Sequence, residues 1–281
     1  MTAELSARIE AELAIPAPDA VIKLAQALAD PERDAAILYY GSTLRTGELS
    51  GILDFYRLTQ RPHRRGLRGM VEAVLWPEVS YHEVPVDGHL MRAKVATLPV
   101  AVFRRAAEGR TLDTTIWARF VQPAQRVWSR DADAAKAAAQ GVTAAVVTAA
   151  RYAAALGPER GSAEDYWLAL FRRTYAAEFR VETTNRANTV VAASPDRYER
   201  LLPLAWAAGG VAFTVEAGRL QPSRSGLPGW TLRRLMGRPL NLARIGKAAF
   251  TFDGAARYAA WKIARHTGVE IEVTPFRERW P

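Results

Sequence analysis

The sequence contains no cysteine and only four histidines. Without cysteine the chain can form no disulfide bond, no thiol nucleophile and no zinc site built on thiolates. The four histidines are not spaced as metal ligands usually are, so a histidine-based metal site is not expected. The absence of cysteine does not by itself identify a cellular compartment.

Long hydrophobic runs are also missing. The longest, at residues 142–150, lies between Gln140 and Arg151 and is well short of the roughly 20 apolar residues that cross a bilayer. Residues 1–13 carry three glutamates, whereas transit peptides avoid acids and signal peptides need an apolar stretch. We therefore expect no membrane-spanning segment and a protein that acts in the cytoplasm, where it is made.

The charge of the chain is strongly basic. Lysine and arginine number 38 against 29 aspartates and glutamates, which gives a net charge of +9. Such a balance favours an anionic partner, whether nucleic acid, nucleotide or an acidic membrane surface. An arginine- and alanine-rich genome composition explains the same charge equally well, so charge alone does not select a function.

Hydrophobic periodicity and turn residues predict the order of the main elements. Two helical pieces within residues 3–28 precede buried strands at 35–40 and 51–58 and a hairpin at 79–84 and 90–96. Later segments are predicted as helices (100–107, 115–127, 139–156, 163–176, 255–267), an extended stretch (179–193) and a short strand (269–273). This order indicates an α/β domain followed by a mainly helical one, with a boundary within residues 129–139.

The first two strands carry the residues of greatest chemical interest. The first strand ends at Gly41-Ser42, and the second holds Asp54, 12 positions after Ser42. Glycine lets a backbone approach phosphates closely, and a helix that opens there presents free N–H groups to a triphosphate. The serine hydroxyl can bind a phosphate oxygen, and the carboxylate can bind Mg²⁺. This is the layout of polymerase-β-like nucleotidyltransferases.

Asp54 has two explanations at this stage. It lies between Leu53 and Phe55 in an apolar run, and burying an unpaired carboxylate costs several kcal/mol. A cation must therefore accompany it, either Arg45 or Arg57 as a structural partner or a bound metal ion. The residues alone do not favour an arginine partner over a bound metal ion for Asp54, or the reverse.

Five motifs in order along the chain resemble those of the phosphatidate cytidylyltransferases of the mitochondrial translocator-maintenance type, here as a bacterial member. The first joins residues 37–42 to Leu53-Asp54-Phe55 and is similar to the "YGS…IDF" motif of that family, which also has a single Asp on this strand. The others lie at residues 79–81 with 91–96, 118–123, 149–159 and 175–180. Each motif is weak alone, and their order makes coincidence an unsatisfactory explanation.

The resemblance implies a role for each matching residue. Asp54 would bind Mg²⁺, and Glu178, which stands where the family has Asp, would be the second acid as metal ligand or base. Lys94 would be a catalytic cation, and Tyr40, Gly41, Ser42 and Arg119 would bind the nucleotide. The alternatives without a catalytic role are that Lys94 faces solvent and that Arg180 is only the salt-bridge partner of Glu178.

The resemblance also implies an architecture. A polymerase-β-like nucleotidyltransferase domain would occupy residues 1–130, a mainly helical, winged-helix-like domain residues 131–230, and a basic amphipathic region residues 231–281. Cationic and apolar residues alternate from Arg233 to Arg265, a pattern that suits a helix lying on an anionic bilayer. A helix packed on the domain with solvated arginines is the competing interpretation.

The expected function is a Mg²⁺-dependent transfer from CTP to phosphatidate, or a related lipid phosphate, giving a CDP-lipid and pyrophosphate. The protein would attach peripherally to the inner face of the membrane, and nucleic acid would not be a partner. One rival keeps the site and changes the acceptor to a sphingolipid phosphate or a protein side chain. The other is a non-catalytic, basic nucleic-acid-binding protein, which would leave Asp54 without a purpose.

Overall fold

A computed structural model describes residues 3–60, 75–178, 184–223, 229–269 and 271–274 of the chain. Contacts between residues divide the chain into two compact units. The sheet unit contains Pro16–Val100, Gln125–Ala132 and Ala243–Pro281, and the helical unit contains Met1–Ile15, Ala101–Ala124 and Asp133–Leu242. The three-part division expected from the sequence stays a prediction.

A five-stranded mixed sheet forms the centre of the sheet unit. Its strands are β1 (Asp34–Tyr40), β2 (Ile52–Thr59), β3 (Glu78–Val86), β4 (His89–Pro99) and β5 (Ala124–Ser129). They lie in the order β3-β4-β2-β1-β5. β2 runs antiparallel to β1 and parallel to β4, and β3 and β4 form an antiparallel hairpin.

Helix α2 (Asp19–Leu28) covers one face of this sheet. Its buried residues Val21 and Leu24 pack in one cluster with Ile37, Phe55 and Val95 from three strands. All seven residues of β1 are buried, as expected of a central strand covered on both faces. The C-terminal segment protects the edge strand β3, because the Tyr81 amide donates to the Asp253 carbonyl at 2.8 Å.

The sheet unit also contains helices that follow β1 and β7 in the chain. They are α3 (Ser42–Thr46), the end of α10 (Trp230–Thr251) and α11 (Ala255–Thr267). None of the helices in the described residues is long and apolar enough to cross a bilayer.

The helical unit is built on aromatic packing. It holds α1 (Ala3–Leu13), nearly all of α4 (Val100–Ala107), α5 (Thr115–Phe120), α6 (Ala132–Leu156), α7 (Ala163–Ala177), α8 (Thr184–Ala192), α9 (Pro195–Ala208) and the start of α10. A hairpin of β6 (Phe213–Glu216) and β7 (Arg219–Pro222) completes it. Trp167 and Trp206 are fully buried, and their indole N–H groups donate to the carbonyls of Tyr198 and Ala150.

The sequence-based elements are confirmed in their main order, with three corrections. Residues 115–127 are α5 followed by β5 rather than one helix, because Pro123 cannot continue the helical hydrogen bonding. Residues 184–192, expected to be extended, form α8. The expected strand at 269–273 is not a strand in its described residues, and residue 270 lies outside them.

Candidate functional site

The turn between β1 and α3 brings a backbone glycine against Asp54. Gly41 has φ 101° and ψ −161°, a conformation that is essentially confined to glycine. A Cβ atom on Gly41 would lie 2.8 Å from Asp54 Oδ2, closer than a carbon atom and a carboxylate oxygen can pack. Gly41 is therefore required both for its backbone angles and for the space that the Asp54 carboxylate occupies.

Strand register places three of the sequence-predicted site residues side by side. Tyr40 on β1 is the neighbour of Asp54 on β2, which in turn is the neighbour of Lys94 on β4. Side chains at paired positions share one face of a sheet, so Asp54 and Lys94 project from the same face. Asp54 and Lys94 are half-buried, and Ser42 is exposed at the start of α3.

The position of Arg57 shows whether it is the cation that accompanies the Asp54 carboxylate. Arg57, three residues along β2, projects from the opposite face and forms an ion pair with Asp34 at 3.5 Å. It also donates to the Leu28 carbonyl. Arg57 is therefore committed elsewhere and is not the partner of Asp54. Burial raises the pKa of the nearby Tyr39 hydroxyl, and the Asp54 charge contributes to that rise.

The C-terminal helix α11 lies against the same sheet face as Asp54. Tyr81 on β3 is the register neighbour of Lys94, and its ring meets that of Tyr258 on α11 at 5.7 Å between centroids. One turn later, the Trp261 ring lies 5.7 Å from the Arg92 guanidinium carbon. α11 therefore borders the face on which the site residues lie.

Arg265, at the end of α11, contacts the loop that connects α3 to β2. Its guanidinium lies 5.2 Å from the Trp261 ring and 3.6 Å from a Glu48 carboxylate oxygen. It also lies 3.4 Å from the position that a Cβ on Gly51 would take. Arg92 and Arg265 therefore lie at the sheet face from which Asp54 and Lys94 project. The sequence analysis did not include either arginine among the site residues. The available signal was that residues 258, 261 and 265 share one face of a helix.

Two of the sequence-predicted site residues, Glu178 and Arg119, belong to the helical unit. Glu178 is buried at the C-terminus of α7, where its Oε1 accepts a hydrogen bond from Thr114 Oγ1 at 2.6 Å. Arg119 is half-buried in the last turn of α5. The structure thus groups Tyr40, Gly41, Ser42, Asp54 and Lys94 in one unit. The approach of Glu178 to Asp54 stays a prediction, and Arg180 lies outside the described residues.

The side chains near Asp54 can be compared with the ligands that Mg²⁺ requires. Within the described part of the chain, no three histidine, aspartate or glutamate side chains converge as a metal-binding group. Mg²⁺ that acts on nucleotides is commonly held by one or two carboxylates together with substrate phosphates and water. The half-buried Asp54 carboxylate, set against the glycine turn, fits the single-carboxylate form of such a site.

Comparison with known protein families finds no family that matches the chain, and comparison with characterised proteins finds no match either. A function can therefore be inferred only from the sequence motifs and from the local geometry within each unit.

Proposed function

We propose that the protein is a Mg²⁺-dependent cytidylyltransferase that converts CTP and phosphatidate, or a related lipid phosphate, into a CDP-lipid and pyrophosphate. In this proposal the sheet unit is a polymerase-β-like nucleotidyltransferase domain and the helical unit is winged-helix-like. The observation that carries it is the contact between Gly41 and Asp54 across the β1–β2 pair. It combines a side-chain-free turn, where phosphates can approach, with a carboxylate directly beside it.

The reaction needs little covalent participation by the protein. An oxygen of the lipid phosphate attacks the α-phosphorus of CTP, the new P–O bond forms, and the bond to pyrophosphate breaks. A phosphate monoester is already largely ionised at neutral pH, so no strong general base is required. Positioning and charge neutralisation dominate such a transfer.

The residues of the sheet unit supply that positioning. α3 has five residues, so its dipole contributes little, and the triphosphate would instead be held by the Ser42 hydroxyl and the backbone N–H groups after Gly41. Lys94 would neutralise phosphate charge from the strand beside Asp54. Asp54 would hold Mg²⁺, which when bound supplies charge neutralisation at the phosphates. The roles of Glu178 as the second acid and of Arg119 in nucleotide binding stay predictions from the resemblance.

The lipid substrate implies attachment to a membrane surface, and α10 has a suitable face. Leu235 and Leu242 are 62% and 57% exposed, and the exposed Arg234 and Arg238 lie on the same side of the helix. In contrast, Arg233 is buried and donates to the Gly109 carbonyl, and α11 packs on the sheet. We therefore propose peripheral attachment to the inner, anionic face of the cytoplasmic membrane through α10.

The proposal is tested by incubating the purified protein with each of the four nucleoside triphosphates, Mg²⁺ and phosphatidate vesicles, and by measuring pyrophosphate release. We expect release with CTP that requires both phosphatidate and Mg²⁺. Release that proceeds equally with vesicles of sphingolipid phosphate would identify the other acceptor class. No release with any nucleotide, together with salt-sensitive binding to DNA, would overturn the proposal in favour of a nucleic-acid-binding protein.

A further inference from the structure

A groove on the helical unit is separate from every residue of the proposed transfer site. It has a volume of about 510 Å³, which is within the range of roughly 300–1,000 Å³ usual for small-molecule sites. It lies between the first turn of α7, the end of α8, residues 195–203 of α9 and the β6–β7 hairpin. All of these elements belong to the same unit.

The walls of this groove are mainly apolar. Val191, Tyr198 and Leu220 are buried side chains that form part of its lining, and Pro203 adds a ring from α9. Val215 on the hairpin also contributes and is 58% exposed. A ligand with a hydrocarbon body would cover the exposed parts of Pro203 and Val215, which is favourable in proportion to the area covered.

The charged groups of the groove are all of one sign. Glu164 on α7 and Glu199 on α9 line it and are exposed, and no lysine or arginine is among its described lining residues. This is unexpected in a chain with 38 basic residues and a net charge of +9. The groove is therefore an acidic, apolar site on a basic protein.

Pro203 removes one backbone hydrogen bond from α9, beside the groove. In an α-helix the carbonyl of Glu199 would accept from the N–H of the residue four positions later. That residue is Pro203, which has no N–H. The Glu199 carbonyl therefore lacks its helical donor, and both residues line the groove. The carboxylates of Glu164 and Glu199 are hydrogen-bond acceptors only, and an ammonium or guanidinium group is made of donors only.

We infer that this groove binds a small organic cation: an ammonium or guanidinium group attached to an apolar body. The cation would lie between Glu164 and Glu199 in charge-assisted hydrogen bonds, and the apolar body would lie along Pro203 and Val215. This inference does not depend on the transfer reaction, since none of these residues belongs to the proposed site.

The test uses the intact protein and three probes of equal chain length, each below its micelle-forming concentration: dodecylammonium, whose head carries three N–H donors, dodecyl sulfate and an uncharged dodecyl maltoside. Binding is measured by isothermal titration calorimetry. Non-specific attraction to a chain of net charge +9 favours the anionic probe. We expect instead saturable binding of one cationic probe per chain, tighter than that of the uncharged probe.

Paired variants locate the binding. The double variant Glu164→Gln, Glu199→Gln should weaken the cationic probe by about tenfold or more and leave the uncharged probe unchanged. Glu216→Gln removes one negative charge from the β6–β7 hairpin, outside the groove lining, and should have no effect, whereas Glu164→Gln and Glu199→Gln, each also a change of one charge, should each weaken the cationic probe. All three positions are exposed, and circular dichroism checks that the variants fold.

Three results would overturn the inference. One is the absence of saturable binding of the cationic probe, and another is cationic binding that the double variant leaves intact. The third is concentration-dependent self-association that the double variant abolishes, because the groove would then receive a side chain of a second copy.

Discussion

Gly41 is the residue on which the candidate site depends most directly, and its effect can be separated from ordinary backbone strain. Gly41→Ala forces a non-glycine residue into an unfavourable conformation, at a cost of about 1–3 kcal/mol, and also places a methyl group 2.8 Å from Asp54 Oδ2. We expect a loss of folding stability and a loss of nearly all cytidylyl transfer, measured by urea unfolding and by pyrophosphate release.

Gly47 provides the matched control for that change. It ends α3 with φ 72°, and a Cβ there would meet nothing within 4 Å. Gly47→Ala should therefore lose about 1–2 kcal/mol of stability and retain most of the activity. Equal activity in the two variants would show that the space beside Asp54 has no role in turnover.

Asp54→Asn tests the charge at the same place. The amide is nearly isosteric with the carboxylate but does not hold Mg²⁺, so turnover should fall on the order of 100-fold or more with little change in unfolding midpoint. Asp87→Asn, at the exposed turn of the β3–β4 hairpin where Asp87 pairs with Lys23, is the control and should remain active. Near-normal activity of Asp54→Asn would remove the metal-ligand role.

His82 gives the fold a specific pH dependence. Burial lowers its pKa, the charges of Arg57 and Arg257 add to this, and Asp253 opposes it; the ring also bonds to Ser80 Oγ at 2.8 Å. Because the unfolded chain protonates this histidine near pH 6.5 and the fold disfavours the charged form, stability should fall as pH decreases below about 6.5. His82→Gln should lose less stability between pH 7.5 and 5.5 in urea unfolding. An unchanged pH slope would contradict this assignment.

At the scale of the elements, α10 and α11 have different surroundings. α11 places Tyr258 and Trp261 against the sheet, whereas α10 exposes Leu235 and Leu242. The sequence assigned both helices to one amphipathic stretch, because apolar residues at helical spacing do not reveal which of them another segment covers. Tyr81 and Arg92, which contact α11, lie more than 150 positions before it in the sequence. Because this packing is long-range, the sequence did not indicate that α11 places Arg265 beside the sheet.

The exposed face of α10 predicts how the protein binds vesicles. Leu235→Glu with Leu242→Glu removes two apolar groups and adds negative charge, so binding to anionic vesicles should fall steeply in co-sedimentation. In the unchanged protein, the arginine contribution of about 1 kcal/mol each is screened by salt, so binding should weaken with salt but persist through the leucines. Ile263→Glu on α11, also an exposed apolar position, is the matched single-site control. Unchanged binding of the double variant would place the membrane contact elsewhere.

At the scale of the whole molecule, local sequence signals predicted the elements better than their assembly. The ends of β1, of the hairpin around Asp87-Gly88 and of α11 were predicted to within three residues, because periodicity and turn chemistry specify these elements locally. β5 was missed because a six-residue strand after Pro123 gives a weak alternation. The register that aligns Tyr40, Asp54 and Lys94 depends on long-range pairing, which a single sequence does not encode in any short motif.

The central claim is that the chain moves a cytidylyl group onto a lipid phosphate, and the most direct measurement follows the group itself. CTP labelled at the α-phosphate is incubated with the intact protein, Mg²⁺ and phosphatidate vesicles, and the label is then partitioned between water and chloroform. The account predicts that label enters the chloroform phase as a CDP-lipid, in equal amount to the pyrophosphate released, and only when Asp54 is intact. Label that stays in water, or that enters the lipid equally with Asp54→Asn, would contradict it.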